Sequence, residues 1–205
     1  MSLVASRTHW RIVGLAIPSL TAVAFALLAP RPASSLPRVG EVPAFQLIDD
    51  RGQPASGDSL RGRVWVASFV FTRCAGQCPM ITGEIARLAR EFTGTPSIEF
   101  VTFTVDPKQD TPDVLTRYAA QYDVPKDRWR LLTGDEAEIQ RLCRDGFHLA
   151  VDSQGGSPEE PIVHSLRLVL VDGTGQIRGY YDASEPDRLR QLRRDLRDLA
   201  ARGGA

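Results

Sequence analysis

The segment Val64-Trp-Val-Ala-Ser-Phe-Val-Phe-Thr-Arg-Cys-Ala-Gly-Gln-Cys-Pro-Met80 decides the fold of this chain. Its first eight residues are almost all apolar and rich in β-branched and aromatic side chains, which predicts a buried strand. Pro79 suits the first turn of a helix, because its missing N–H would have no partner there. Apolar residues then recur at helical spacing as far as Phe92, which predicts one face packed on a core. The segment is therefore predicted to be a strand, a short loop and a helix.

Two cysteines stand in the loop and at the start of this helix. Cys74 and Cys78 are separated by about one helical turn, so both sulfurs can face the same way. The unpaired N–H groups and the dipole of a helix N-terminus are expected to favour the thiolate form. The pair suits a disulfide, a site for a soft metal ion, or both in turn. A purely structural disulfide is the weaker interpretation, because closing so short a loop adds little stability.

The composition favours one full domain with an additional terminal segment. The chain has 205 residues, and its 25 basic residues are balanced by 25 acidic ones. Because no run of Lys or Arg is present, nucleic-acid binding is set aside. Three cysteines are too few for a disulfide-stapled scaffold, so a close pair indicates reactive or metal-binding use. The third, Cys143, is predicted to pack as a small apolar core residue.

The N-terminal segment has the character of a membrane anchor. Arg7 and Arg11 precede an uncharged apolar run from Ile12 to Ala29. A spanning helix needs about 17–25 residues, whereas the apolar part of a signal peptide has about 7–15. Residues 1–30 are therefore predicted to be a single-pass anchor in the inner (cytoplasmic) membrane, with a cleaved signal segment as the alternative. Since the positive flank stays inside, the rest of the chain is predicted to face the periplasm or another extracytoplasmic space.

Strands and helices alternate beyond the anchor. Residues 31–40, rich in Pro and Ser, are predicted to be a linker, and residues 41–205 a domain. Strands are predicted at 45–48, 64–71, 97–105, 128–132, 147–151, 166–171 and 176–181. Helices are predicted from Pro79 to Phe92, from Pro112 after a Thr111 cap, from Asp135 as cap to about Arg144, and after Ser184, which with Asp187 should cap the last helix. This order predicts an α/β protein with a thioredoxin-like fold: a central mixed sheet flanked by helices, ending in a hairpin and a helix.

A third candidate ligand follows from this fold. His164 stands at the mouth of the first hairpin strand, and in a thioredoxin-like sheet that loop lies beside the helix that carries the thiols. His164 is therefore predicted to join Cys74 and Cys78. Two soft thiolates and one imidazole suit copper, Cu(I) especially. His148, in a predicted strand, and His9, before the anchor, are not predicted ligands.

Other polar and aromatic residues near this edge have simpler interpretations. Asp106 and Asp110 flank a Pro-containing turn and are predicted to form that turn and to cap the following helix. Phe69, Phe71 and Phe103 are predicted to be core positions of strands. The same rings would also be placed to keep water from a copper site.

Four ordered segments resemble the Sco/SenC family of copper-binding thioredoxin-fold proteins. Phe71–Pro79 is similar to the CxxxCP signature of that family, Val105–Leu115 to its DPxxDTPxxL block, and Leu131–Gly134 and Val163–Ser165 to two further blocks in the same order. The resemblance covers roughly residues 40–200. It implies a membrane-tethered copper chaperone that helps to assemble the CuA centre of cytochrome c oxidase. It also implies that Cys74, Cys78 and His164 are the copper ligands.

Three functions stand as hypotheses. The first is the binding and delivery of copper, as Cu(I) or also as Cu(II), to the copper-bearing subunit of cytochrome c oxidase or to another exported copper protein. The second is an enzyme, a thiol–disulfide oxidoreductase in which one cysteine attacks and the other resolves the mixed disulfide. The third is a redox or copper sensor. The CxxxC spacing differs from the CxxC of a general thioredoxin, which weakens the second hypothesis.

Overall fold

The computed structural model describes residues 36–123, 127–149 and 166–204. Its strands are β1 (Gly40–Glu41), β2 (Gln46–Asp49), β3 (Pro54–Ser56), β4 (Val64–Val70), β5 (Ile98–Thr104), β6 (Trp129–Thr133), β7 (Arg167–Val171) and β8 (Gln176–Asp182). Its α-helices are α1 (Cys78–Glu91), α2 (Pro112–Ala119), α3 (Glu136–Arg141) and α4 (Pro186–Ala201). Short 3-10 turns occupy Gly57–Leu60 and Ala120–Tyr122, and a π-helical segment, Leu142–Gly146, continues α3. The strands of these ranges form one mixed sheet in the order β1-β8-β7-β4-β5-β6-β2-β3.

The centre of the sheet brings together the ends of β4 and β5. β4 pairs in parallel with β5 and antiparallel with β7, and every residue of β4 and β5 is buried, as is usual for strands covered on both faces. Val70 is paired with Thr104, and the N–H of Val105 donates to the Val70 carbonyl at 2.9 Å. Because parallel strands point the same way, the loop after β4 and the turn after β5 leave the sheet at one edge.

An aromatic cluster covers one face of these central strands. The rings of Phe69 and Phe103 stack with centroids 5.5 Å apart, and Phe147 packs edge-to-face on Phe69 at 4.9 Å. Phe45 packs edge-on against Phe103 at 5.7 Å. Each such pair contributes about 0.5–1.5 kcal/mol beyond the burial of its area. The prediction that Phe69 and Phe103 are core residues is confirmed.

Helices α1 and α4 lie side by side and are joined by ion pairs. Arg193 contacts Glu84 at 2.7 Å and Glu91 at 2.8 Å, and Arg197 contacts Glu91 at 2.6 Å. The apolar stripe predicted for α4 is buried: Leu189, Leu192, Leu196 and Leu199. Burial of this stripe follows from its helical spacing, which places all four side chains on one face.

The start of the last helix differs from its prediction. α4 begins at Pro186 with Glu185 as its N-cap residue. Ser184 does not cap it, because its hydroxyl donates to the Asp182 carboxylate at 2.5 Å. The cap predicted at Asp135 is confirmed by the N–H of Glu138, which donates to it at 2.9 Å.

His148 does not lie in a strand, contrary to its prediction. Its φ angle of 49° is left-handed, and the N–H of Leu149 donates to the Cys143 carbonyl at 2.9 Å. The chain therefore folds back onto the π-helical segment instead of extending.

The predicted anchor, residues 1–30, lies outside the described residues. In the three ranges that the structure describes, no helix combines the length and apolarity needed to cross a bilayer. Gly40, the last residue of the predicted linker, pairs with Ile177 and so belongs to the sheet.

Candidate metal centre

The two cysteines of the pair lie at the edge where β4 and β5 end. Beyond β4 the chain makes a tight turn, in which the N–H of Cys74 donates to the Phe71 carbonyl at 3.2 Å. Residues 75–77 are exposed, and α1 then begins at Cys78 with Pro79 in its first turn. The predicted strand–loop–helix unit is confirmed.

Both thiols are free, and their environments differ. Cys74 is half-buried, whereas Cys78 is buried at 7% exposure. The Cys74 thiol lies close enough to affect the pKa of Cys78 through a hydrogen bond and through charge. Two neighbouring thiols, one of them reachable from solvent, can close to a disulfide or bind a soft metal ion.

The expectation that the helix N-terminus favours the thiolate is wrong for Cys78. Burial raises the pKa of this thiol to about 12, and the hydrogen bond with Cys74 adds to the effect. A backbone hydrogen bond at Phe71 lowers the pKa by less, and the nearby charge of Asp110 raises it further. Removing a thiolate from water therefore outweighs the partial charges at the helix end. At neutral pH Cys78 is a protonated thiol in the free dithiol.

A buried carboxylate supports the turn before Cys74. Asp110 has no exposed surface. Its Oδ1 accepts a hydrogen bond from the Thr72 hydroxyl at 2.5 Å, and its Oδ2 accepts one from the Thr72 N–H at 3.1 Å. Oδ2 also accepts from the hydroxyl of Thr104 at 2.5 Å. The turn after β4 is thus tied to the last residue of β5.

Asp106 contacts the same turn from its exposed side. Its Oδ2 accepts from the guanidinium of Arg73 at 2.6 Å, and its own N–H donates to the Thr104 hydroxyl oxygen at 3.0 Å. The turn predicted at Asp106 and Asp110 is present, since the N–H of Asp110 donates to the Asp106 carbonyl at 2.9 Å. The N-cap residue of α2 is Thr111, as predicted, although its side chain makes no capping hydrogen bond. Neither aspartate is the N-cap residue, and the contacts of both carboxylates with the cysteine turn were not predicted.

A sequence signal for those contacts exists. Both aspartates follow the predicted strand 97–105. Hydrogen-bond donors on Thr72 and Arg73 directly follow the predicted strand 64–71. What the sequence leaves open is that these two strands pair in parallel with their ends level.

Two hydroxyl groups that are hydrogen-bonded to each other lie near Cys78. The hydroxyls of Thr82 in α1 and Tyr118 in α2 are hydrogen-bonded at 2.7 Å, and both side chains are buried. Burial raises the pKa of Tyr118 above its ordinary value. These two hydroxyl groups therefore add no charge beside Cys78 at physiological pH.

The third predicted ligand, His164, lies outside the described residues. Within the described ranges, no three or more His, Cys, Asp and Glu side chains form a group that could hold a metal ion. Cys74 and Cys78 therefore supply two donors. Thiolate sulfur suits Cu(I), so the donor type of this pair fits the predicted metal.

The other His and Cys side chains of the described domain lie elsewhere. A Cβ at Gly40 would be 3.6 Å from His148 Nε2 and 3.5 Å from Ile177. Ile177 in β8 pairs with Val171 in β7, and Val171 pairs with Trp65 near the start of β4. His148 therefore lies toward the end of β4 that is opposite the thiols. Cys143 is 2% exposed, as predicted for a core residue, and burial raises its pKa to about 12.

The model of the SCO1/SenC family matches residues 35–201, which is most of the chain. The chain belongs to the SCO1/SenC family. A relative from Stutzerimonas stutzeri, which is named a putative copper-binding protein, is 32% identical over 185 residues, covering 88% of this chain and 87% of the relative.

Solved structures of SCO1/SenC proteins share this architecture. A SCO1/SenC family lipoprotein from Bacillus anthracis superposes with a TM-score of 0.73 and 29% identity, covering 82% of this chain and 99% of that one. BsSco, a member of the Sco family of cytochrome c oxidase assembly proteins in which a disulfide switch has been identified, superposes with a TM-score of 0.70 and 27% identity, covering 82% of this chain and 96% of that one. The predicted thioredoxin-like α/β fold is confirmed.

Proposed function

We propose that this SCO1/SenC protein is a copper-binding chaperone that delivers copper to, or prepares the cysteines of, the CuA site of cytochrome c oxidase. The observation that carries the proposal is the pair of adjoining free thiols, Cys74 and Cys78, at one edge of the sheet. Soft thiolate sulfur is the donor that Cu(I) prefers. The copper-binding relative and the oxidase-assembly family of BsSco support the same function.

Copper is the cargo in this proposal, and His164 is the third ligand. Two thiolates and one imidazole form a low-coordinate set suited to Cu(I), with Cu(II) as the second oxidation state carried. Cys78 is protonated in the free dithiol, so copper uptake releases its proton and affinity rises with pH. Because Cys78 is buried, the protein shields this sulfur from competing solvent ligands.

The free dithiol also supports thiol reduction of the target site. In that reaction the Cys74 thiolate attacks one sulfur of a target disulfide, and the first target thiolate leaves. The Cys78 thiol then gives its proton to the released target thiolate and attacks the Cys74 sulfur of the mixed disulfide, which releases the second target thiolate. Two electrons pass to the target, and this protein is left with a Cys74–Cys78 disulfide. The half-buried Cys74 is assigned the attack because a partner can reach it.

The proposed setting follows from the N-terminal sequence. Residues 1–30 anchor the protein in the inner membrane, and the domain faces the periplasm or extracytoplasmic space. Its partner is the copper-bearing oxidase subunit or another exported copper protein. A redox or copper sensor is the remaining alternative, which predicts copper binding without transfer to an apo partner.

The test is an anaerobic Cu(I) titration of the reduced full-length protein in detergent, against a chromophoric Cu(I) chelator. We expect a 1:1 complex that is weakened at least about tenfold in Cys74→Ser, Cys78→Ser and His164→Ala, since each loses one of three donors. Cys143→Ala is the matched control and should bind like the wild type. A wild-type protein that takes up no Cu(I) would exclude the chaperone function.

His164→Ala also separates the two chemistries. We expect this variant to lose tight Cu(I) binding while its dithiol is still oxidised to a disulfide at nearly the wild-type rate. The reason is that disulfide exchange uses only the two sulfurs. Equal losses of both activities would show that His164 is not simply a copper ligand.

A further inference from the structure

Both central residues of the turn that presents Cys74 are held by the segment that follows β5. The turn runs from Phe71 to Cys74 and is closed by their 3.2 Å backbone hydrogen bond. Thr72 donates hydrogen bonds from its N–H and its hydroxyl to the carboxylate of Asp110. This contact joins residues 38 positions apart in the chain. The position of the Cys74 backbone is therefore set by a distant part of the sequence.

The carboxylate that makes this contact is completely buried. Asp110 accepts hydrogen bonds from two hydroxyls and one N–H. A buried carboxylate is costly unless such bonds satisfy it, and bonds to an ionised acceptor are about twice as strong as neutral ones. Asp110 therefore holds Thr72 firmly in one place.

A second buried aspartate, Asp172, also accepts hydrogen bonds from the N–H and the hydroxyl of a threonine, but within its own turn and with Arg178 as an ion-pair partner at 3.0 Å. Asp172 accepts from the N–H of Thr174 at 2.8 Å and from its hydroxyl at 2.6 Å, in the turn between β7 and β8. The preceding residue, Val171, pairs with Trp65, at the opposite end of β4 from Cys74. The Thr174 hydroxyl therefore offers a control, in which a threonine–aspartate hydrogen bond is removed at the end of β4 opposite the cysteine pair.

We propose that Asp110, acting through Thr72, is a positioning residue that holds the Cys74 sulfur beside the Cys78 sulfur. Fixing one thiol next to the other raises its effective concentration there. Disulfide closure and chelation of one soft ion by both sulfurs depend on that concentration in the same way. The copper part of this inference rests on the proposed function, whereas the disulfide part stands without it.

The test compares Thr72→Val, which removes only the hydroxyl donor, with Thr72→Ser, which keeps it. Thr174→Val is the matched control at the other turn. All are made in the full-length chain, and the dithiol–disulfide equilibrium is measured in glutathione redox buffers. We expect Thr72→Val to lower the equilibrium constant for disulfide closure about tenfold, which is a potential about 30 mV less negative. Thr72→Ser and Thr174→Val should stay close to the wild type.

The same variants are then titrated with Cu(I) alone. We expect Thr72→Val to bind about tenfold more weakly, because bonds to a charged acceptor are worth about that factor or more, and Thr72→Ser and Thr174→Val to bind like the wild type. If the wild type takes up no Cu(I), the proposed function fails, while the redox measurement still decides the role of Asp110.

Two outcomes would overturn the positioning role. One is an unchanged potential in a folded Thr72→Val protein. The other is an equal shift in Thr174→Val, which would make the effect one of general stability. If Thr72→Val does not fold, Thr104→Val replaces it, since this change breaks a different bond to Asp110 and should shift the potential in the same direction. An unchanged potential in that variant would count equally against the proposal.

Discussion

Cys78 shows how strongly burial governs a single side chain at this site. It stands at the first position of α1, where the helix dipole favours a thiolate, yet its pKa is raised to about 12. Cys74, only four residues earlier, is half-buried in an exposed turn. The two sulfurs therefore suit different steps of the proposed reactions. Cys74 reacts first with the partner, and Cys78 resolves the mixed disulfide or completes the copper chelate.

Cys143 provides a pH test of the same principle away from the site. Its pKa is raised by burial from about 9 to about 12, so the folded protein keeps a proton that the unfolded chain loses. Its contribution to stability is complete below pH 9 and is lost as pH rises toward 12. We expect the stability advantage of the wild type over Cys143→Ala to shrink by about 1.4 kcal/mol between pH 9.5 and 10.5. Urea unfolding at several pH values measures it, and a pH-independent difference would contradict the expectation.

At the scale of elements, the parallel pair of β4 and β5 builds the site. Both strands are entirely buried and end level with each other, with Val70 opposite Thr104. This alignment brings Asp106 and Asp110 beneath the cysteine turn. Helix α1 then carries Cys78 and is supported in turn by α4 through Arg193.

The support that α4 gives should come from its leucine stripe more than from its charges. Leu192 is completely buried, so Leu192→Ala should cost about 2–5 kcal/mol of unfolding free energy through lost transfer energy and a cavity. Arg190→Ala on the same helix is the control, because its ion pair with Asp187 is exposed and should contribute about 0–1 kcal/mol. Urea unfolding of both variants measures the difference. Equal effects would mean that α4 does not pack as the structure shows.

On the scale of the whole molecule, a SCO1/SenC domain presents a dithiol at one edge of its sheet and keeps its third cysteine in the core. At the opposite end of β4, near Trp65, lies the turn between β7 and β8 that contains Asp172. In the proposed function, copper transfer depends on how this dithiol edge meets the partner.

Copper binding should increase the free energy of unfolding of the protein. A ligand that binds only the folded state stabilises it by about 2.7 kcal/mol when its free concentration is one hundred times Kd. We therefore expect the reduced full-length protein to gain about that much in the presence of buffered Cu(I), measured by anaerobic urea unfolding. The oxidised protein is the control and should gain much less, because its sulfurs are joined to each other. Equal gains in both forms would place the copper elsewhere.

Several features of the fold and of the site were available from local sequence. The strand of Val64–Val70, the helix after Cys78 and the stripe of α4 follow from the spacing of apolar residues, because periodicity determines which side of an element is buried. The spacing of Cys74 and Cys78, together with Pro79, also predicted two thiols at a helix start.

The tertiary structure alone decided how distant segments meet. That Asp110 bonds Thr72, and that Cys78 is too buried to ionise readily, depend on which strands pair and at which register. The left-handed turn at His148 and the start of α4 at Pro186 likewise depend on contacts that compete with local preference. Local spacing determines which residues become buried, but the free energy of the whole packed chain determines what they are buried against.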